Sequence, residues 1–157
     1  MSRQLIVGCC ILTIVAVLGI LIYTPQAPPD DPTFLATASV PVGVRSLLVR
    51  ACADCHSERT RYPWYSFLPM ISRTIENDIS RGREQLNFSH WNNYSRLRKQ
   101  RALTGIANQV KDGLMPLSGY VMMHPSARLS QANRDEVYEW AQQERLRLIL
   151  QGSVDAR

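Results

Sequence analysis

The segment Cys52-Ala53-Asp54-Cys55-His56 constrains this chain more than any other feature of its sequence. Two thiols three residues apart can each form a thioether bond to one haem vinyl group, and the imidazole of the next residue can bind the iron. The pattern C-x-x-C-H is therefore the attachment signal of a c-type haem. It predicts one covalent haem c, held by Cys52 and Cys55, with His56 as an axial ligand of the iron.

Two other kinds of site use the same thiol spacing. A thioredoxin-like redox pair normally opens a helix after a buried strand, but the residues before Cys52 have the pattern of a helix. A zinc site needs more Cys or His ligands, and outside the motif the chain has only His90, His124 and two cysteines in its N-terminal apolar run. We therefore favour covalent haem over both alternatives.

The N-terminal apolar run covers residues 5–23, nineteen residues without a charge. It is long enough to span a bilayer and predicts a transmembrane anchor. A cleaved signal peptide is the alternative, but its apolar region is usually shorter, and residues 23–28 lack an A-x-A-like cleavage site. Arg3 before the run and Asp30 and Asp31 after it place the N-terminus in the cytoplasm. The expected location is the bacterial inner membrane, single-pass, with the haem domain in the periplasm.

Five prolines between residues 24 and 41 predict an extended tether after the anchor. The formal net charge of the chain is +5, and most of its cations are arginines. A basic surface of this kind favours docking to acidic redox partners or to anionic lipid headgroups. Nucleic acid is not an expected partner, because an exported haem domain would not meet it.

The rest of the chain has the apolar spacing of helices and no period-2 strand, so the predicted fold class is all-α. Helices are expected over residues 42–51, from about residue 71 to a stop at Gly82, over residues 95–112 before Gly113, and from an N-cap at Ser130 onward. The apolar positions that define the first and last of these are Val44, Leu47, Leu48 and Ala51, and Val137, Trp140, Ala141 and Leu148.

Two residues are candidates for the sixth iron ligand. Met115 follows a helix-stopping glycine and precedes Pro116, and a thioether is a common second axial ligand of cytochromes c. His124, before Pro125, is the alternative ligand, or else it hydrogen-bonds a propionate or anchors its loop. A vacant sixth position would instead indicate ligand sensing or peroxidase-like chemistry.

Haem also needs an apolar wall and donors for its propionates. Aromatic rings with a polar group suit both needs. The candidates in the predicted loops are Tyr62, Trp64, Tyr65, Trp91 and Tyr120.

Five segments in order resemble the haem-binding domain family of bacterial c-type cytochromes. They are the C-x-x-C-H-S motif at residues 52–57, Tyr-Pro-Trp-Tyr-Ser at 62–66, Asn-Phe-Ser-x-Trp at 87–91, Gly-x-Met-Pro at 113–116 and His-Pro at 124–125. The resemblance implies covalent haem c, a cytochrome c-like helical fold and His56 as ligand. The residue after Met-Pro is often a second Pro in that family, and here it is Leu117.

The sequence thus predicts a small cytochrome c-like helical domain around a covalent haem, preceded by one transmembrane helix. Its expected organisation is an anchor or signal peptide at residues 1–24, a Pro-rich tether at 25–41 and a haem-binding domain at 42–157. We expect a monohaem electron carrier with His/Met ligation, and not an enzyme. The alternatives are a haem-based sensor or peroxidase-associated subunit with an exchangeable sixth ligand, and a non-haem dithiol oxidoreductase.

Overall fold

Helices and short helical turns are the only regular elements in residues 3–22 and 38–155, the residues that this computed structural model describes. The all-α prediction is therefore confirmed for this part of the chain. The α-helices are α1 (Arg3–Ile22), α2 (Val42–Ala51), α3 (Ala53–His56), α4 (Pro69–Gln85), α5 (Arg96–Lys111), α6 (Ser118–Met123) and α7 (Gln131–Asp155). Three short 3-10 helices lie between them, at Trp64–Phe67, Phe88–Asn93 and Pro125–Ala127.

The sequence predicts a transmembrane anchor at helix α1. A helix that crosses a bilayer core requires about 20 apolar residues. Within the two described ranges, no helix is long and apolar enough to cross a membrane. The predicted anchor is therefore wrong, and so is the single-pass inner-membrane location, with a periplasmic domain, that depended on it. The first part of the predicted tether, residues 25–37, lies outside the described residues.

Helices α5 and α7 pack against each other along their length, and each supplies four buried residues of the core. They run antiparallel, because Lys111 near the end of α5 pairs with Asp135 at the start of α7, while Arg96 packs against Gly152 at the other end. Leu103 and Ala107 of α5 and Ala141 of α7 have no exposed surface.

Helix α2 packs against α7, and the four apolar residues that its sequence pattern predicts are all buried. The core also takes in Ala38 and Val40 from the end of the predicted tether. The Trp140 Nε1–H donates to the Ser39 carbonyl at 3.0 Å. The packed part of the chain therefore begins before α2.

The predicted start and end of α5 and the predicted start of α7 agree with the structure. The Ser95 hydroxyl accepts from the Arg98 N–H at 3.2 Å, and the Ser130 hydroxyl accepts from the Asn133 N–H at the same distance, so both serines cap helices. Gly113 has φ +73°, the left-handed conformation that ends a helix.

The predicted stop of α4 at Gly82 is wrong, because the helix continues to Gln85. Gly82 has a different reason to lack a side chain. A Cβ atom there would lie 2.8 Å from the Cys55 carbonyl oxygen, so only a glycine lets α4 approach the C-x-x-C-H segment this closely. The short helix α6 was not predicted; its pattern of Ser, Gly, Tyr, Val and Met has no apolar periodicity and no buried residue.

Candidate functional site

The C-x-x-C-H segment forms one helical turn at the junction of α2 and α3. The Cys52 N–H donates to the Leu48 carbonyl at 3.0 Å, and the His56 N–H donates to the Cys52 carbonyl at 3.0 Å. Residues three and four apart on such a turn share a face. Cys52, Cys55 and His56 therefore lie on one side of the turn, as attachment to a single flat group would require.

Both thiols are in surroundings that keep them protonated. Burial, with a smaller contribution from Cys55, raises the pKa of Cys52 to about 12, although Arg50 acts in the opposite direction. Burial also raises the pKa of Cys55 to about 11, assisted by Asp54 and Asp78. A redox-active cysteine pair needs the opposite shift, since the thiolate is the nucleophile.

The imidazole of His56 is oriented by a backbone carbonyl. Its Nδ1 lies 3.0 Å from the Leu86 oxygen, which can only accept, so Nδ1 carries the proton and Nε2 the lone pair. Burial lowers the pKa of His56, which keeps the ring neutral at pH 7. A neutral imidazole with one nitrogen fixed by a carbonyl is the usual form of a histidine metal ligand.

Residues 84–94, here called the proximal segment, hold this carbonyl in place. Leu86, Phe88 and Trp91 are buried, and the Phe88 ring lies 6.2 Å from the His56 ring. The Asn87 N–H donates to the Tyr94 hydroxyl at 2.8 Å.

A cation caps the helix that leads into the proximal segment. The Arg98 guanidinium donates to the carbonyls of Glu84 and Gln85, each at 2.9 Å. These are the two residues before Leu86, so Arg98 stabilises the end of α4 beside the carbonyl that orients His56.

Asp54, between the two cysteines, is a buried carboxylate that the sequence interpretation missed. It accepts hydrogen bonds from Arg61 Nε at 2.9 Å and from the Tyr120 hydroxyl at 2.7 Å. Burial and the bond to Asp54 raise the pKa of Tyr120, so this hydroxyl keeps its proton and donates it. The signal was present in the sequence as a charged residue inside the attachment motif, but its partners are 7 and 66 residues away along the chain.

His124 lies between two tyrosines. Its Nδ1 donates to the Tyr120 carbonyl at 3.1 Å, and its Nε2 lies 3.1 Å from the Tyr65 hydroxyl, which therefore donates to it. The rings of Tyr120 and His124 stack with their centroids 4.2 Å apart. Both ring nitrogens of His124 are thus engaged by protein groups.

Met115 lies in the loop between α5 and α6, half-buried against the core. The N–H groups of Leu114 and Met115 both donate to the Gln109 carbonyl at 3.0 Å, which fixes the start of the loop on α5. The peptide bond from Met115 to Pro116 is cis. Residues 113–124, which contain this loop, α6 and His124, are here called the distal segment.

The five predicted pocket aromatics do not form one group. Tyr65 and Tyr120 meet at His124, and Trp64 packs edge-on against Tyr65 with ring centroids 5.9 Å apart. Trp91 is buried in the proximal segment instead. Tyr62 and Trp64 are exposed, at 45% and 61% of their surface.

Large apolar side chains are exposed in two stretches near the motif. In α4, Ile71 is 39% exposed and Ile79 is buried, so the apolar stripe of this helix is progressively uncovered towards its start. The other exposed apolar side chains of these stretches are Met70 in α4 and Leu114, Leu117, Met122 and Met123 in the distal segment. Exposed apolar surface of this extent marks a site for a ligand or a partner.

Residues 13–143 match a family model described as a haem-binding domain. No curated protein and no solved structure matches the chain. The matched span contains the attachment motif, Met115 and His124.

Proposed function

The chain belongs to the haem-binding domain family, and from this premise we propose that it carries one covalent haem c and transfers single electrons. Membership of the family confirms the resemblance seen in the sequence and makes this a haem protein. When bound, the haem iron supplies the one-electron oxidation and reduction. The contribution of this chain is to attach the group, to ligate the iron and to keep water from it.

The observation that carries the proposal is the tautomer of His56. Its Nδ1–H is tied to the Leu86 carbonyl, so Nε2 is the nitrogen available to a metal. On the same turn, Cys52 and Cys55 share its face. The raised pKa values of both thiols speak against the dithiol oxidoreductase alternative, because such an enzyme needs a readily ionised thiol.

We assign the sixth iron position to Met115 and not to His124. Ligation by His124 would require Nε2 to give up the Tyr65 hydroxyl or Nδ1 to give up the Tyr120 carbonyl. The Met115 sulfur has no such competing role, since a thioether is only a weak acceptor. The exposed apolar side chains of α4 and the distal segment suit the apolar faces of a haem.

The partner that we propose is an acidic redox protein. Residues 85–111 contain no Asp or Glu, and Arg96, Arg98, Lys99 and Arg101 stand together at the start of α5. Arg98 has an internal role as the cap of α4, but Arg96, Arg98 and Arg101 are all exposed and present their positive charge to solvent. This end of α5 contacts the proximal segment through Arg98, and a positive surface there would steer an acidic protein towards the segment that holds His56.

Covalent attachment is tested on a denaturing gel. Thioether bonds survive denaturation, so haem should stay with the polypeptide, and Cys52→Ala with Cys55→Ala should abolish the haem stain. Cys9→Ala with Cys10→Ala is the matched control and should retain it. Haem that acid-acetone extracts intact from the wild type would contradict the proposal.

Axial ligation is tested by spectroscopy. A thioether ligand gives a weak sulfur-to-iron band in the oxidised spectrum, and Met115→Ala should remove this band and let CO bind the ferrous form. His124→Ala should leave the band in place. The reverse pattern would assign His124 as the ligand, and equal CO binding by the wild type and both variants would replace the electron carrier with a sensor.

The docking surface is tested with two small redox probes of opposite charge. Arg101→Glu should slow electron exchange with hexacyanoferrate and speed exchange with hexaammineruthenium, and both effects should shrink as ionic strength rises. Arg73→Glu, on the exposed face of α4, is the control. If Arg73→Glu changed the two exchange rates as much as Arg101→Glu does, the effect would come from the net charge of the protein. That result would contradict a docking surface on α5.

A further inference from the structure

Helix α6 is positioned by polar contacts. None of its six residues is buried, and only Tyr120 and Val121 are half-buried. A helix this short has little stability of its own and normally depends on a packed apolar face. Its place in the fold therefore rests on the core contact of Tyr120 and on hydrogen bonds, which the structure shows at Tyr120 and at the residue that follows the helix.

The first of these contacts joins α6 to the attachment motif. The Tyr120 hydroxyl donates to Asp54 Oδ2 at 2.7 Å. Asp54 is held in turn by a two-point contact with Arg61, whose Nε and Nη2 lie 2.9 and 3.2 Å from the two carboxylate oxygens. Because the carboxylate is buried and oriented from the other side, it is a fixed acceptor for the tyrosine.

The second contact holds the end of the helix. His124, the C-cap of α6, accepts from the Tyr65 hydroxyl. The Met115 loop is thus held at three points: by the Gln109 carbonyl before it, and by Asp54 and Tyr65 beyond it. Of these three, Asp54 is the one that lies between the two attachment cysteines.

We propose that Asp54 is a positioning residue for the sixth iron ligand. Through Tyr120 it fixes α6, and through α6 it sets where the Met115 loop lies relative to Cys52 and Cys55. The same turn that attaches the haem therefore also places the opposite ligand. This inference rests on the proposed function, in that it takes Met115 as the ligand to be placed.

The test compares two single-hydroxyl deletions, Tyr120→Phe and Tyr94→Phe. The first removes the bond to Asp54 but keeps the ring that stacks on His124. The second removes a hydroxyl of the proximal segment, which accepts from the Asn87 N–H. Both lose one partly buried hydrogen bond, so Tyr94→Phe shows how much of the effect comes from a general loss of stability.

The haem-free protein provides the first measurement. Amide hydrogen exchange at Leu114 and Met115 should become about tenfold faster in Tyr120→Phe, the effect expected of one bond to a charged group. Exchange at these two amides should be unchanged in Tyr94→Phe. Equal acceleration in the two variants would overturn the proposal, and this result does not depend on which residue binds the iron.

The haem-loaded protein provides the second measurement, by titration of the ferric form with free imidazole. Tyr120→Phe should bind imidazole about tenfold more tightly than the wild type, because the Met115 loop is released more easily. Asp54→Asn, which keeps an acceptor oxygen but loses the charge, should give an intermediate value. If the wild type lacks the sulfur-to-iron band, the proposed function has failed. If the band is present and Tyr120→Phe binds imidazole only as tightly as Tyr94→Phe does, the proposed role of Asp54 has failed and the proposed function has not.

Discussion

The proximal and distal segments hold their candidate ligands in different ways. In the proximal segment, the carbonyl that orients His56 belongs to a run in which Leu86, Asn87 and Phe88 are all buried. In the distal segment, Met115 and Pro116 are half-buried and the helix that follows has no buried side chain. The proximal segment is held by fully buried side chains. The distal segment is held by two partly buried side chains, Met115 and Tyr120, and by a few hydrogen bonds.

This difference has a chemical meaning. A ligand held by packing can move only if the core opens, which costs a large part of the free energy of unfolding. A ligand on a loop held by hydrogen bonds and partly buried contacts can leave at the smaller cost of those contacts. We therefore expect the bond from His56 to be permanent and the bond from Met115 to be the one that an external ligand replaces.

The largest effect should come from Trp91→Ala in the proximal segment. Trp91 is 1% exposed, and removing a buried aromatic side chain costs about 3–5 kcal/mol of unfolding free energy. Denaturant unfolding of the haem-free wild type and of the variant measures this difference in unfolding free energy. A cost below about 1 kcal/mol would mean that the proximal segment is loosely packed and would remove the contrast with the distal one.

Gly82→Ala should give the next largest effect, because it tests the close approach of α4 to the attachment turn. The added Cβ would meet the Cys55 carbonyl oxygen at 2.8 Å, and the resulting backbone shift should cost about 1–3 kcal/mol. The control is Gly105→Ala in α5, where a Cβ meets nothing within 4 Å and should stabilise the helix by about 0.5–1 kcal/mol. If both substitutions changed the unfolding free energy in the same direction, the close approach of α4 to the attachment turn would be contradicted.

Arg98→Ala should have a smaller effect, confined to the proximal side. It removes the two hydrogen bonds to the Glu84 and Gln85 carbonyls, worth about 1 kcal/mol at an exposed helix end. Amide exchange should also quicken at Leu86, whose N–H donates to the Gly82 carbonyl. Arg101→Ala is the control on the same helix, and it should change neither quantity.

Met122→Ala, in the distal segment, should have the smallest effect. Met122 is 73% exposed, so the unfolding free energy of the haem-free protein should change by less than about 0.5 kcal/mol. A cost approaching that of Trp91→Ala would show that the distal segment is packed after all.

The sequence predicted well where one local pattern decides the structure. The apolar spacing of α2 and α7 identified their buried faces, and the serines before α5 and α7 identified their starts, because helix periodicity and capping depend on residues a few positions apart. The attachment motif identified the haem-binding family for the same reason, since its chemistry is contained in five consecutive residues, while covalent attachment at Cys52 and Cys55 stays a prediction.

Prediction failed where the reason for a residue lies in a distant part of the chain. Gly82 was interpreted as a helix stop, although its role is to admit the Cys55 carbonyl. Asp54 was passed over because Tyr120, its partner, is 66 residues away. Trp91 and Trp64 were grouped together, yet Trp91 is buried and Trp64 is exposed, a difference that no local signal shows; the role of either residue at the haem stays a prediction.

The contact between Gly82 and Cys55 bears on the order of events during biosynthesis. Once α4 has docked on the Cys55 carbonyl, the attachment turn is closed on one side, and both thiols are in surroundings that keep them un-ionised. Thiols in this state react slowly. The thioether bonds would thus form most readily on the nascent, still open chain, before α4 arrives. If the haem attaches through Cys52 and Cys55 as proposed, a chain whose α4 has already docked would attach it more slowly than an open chain.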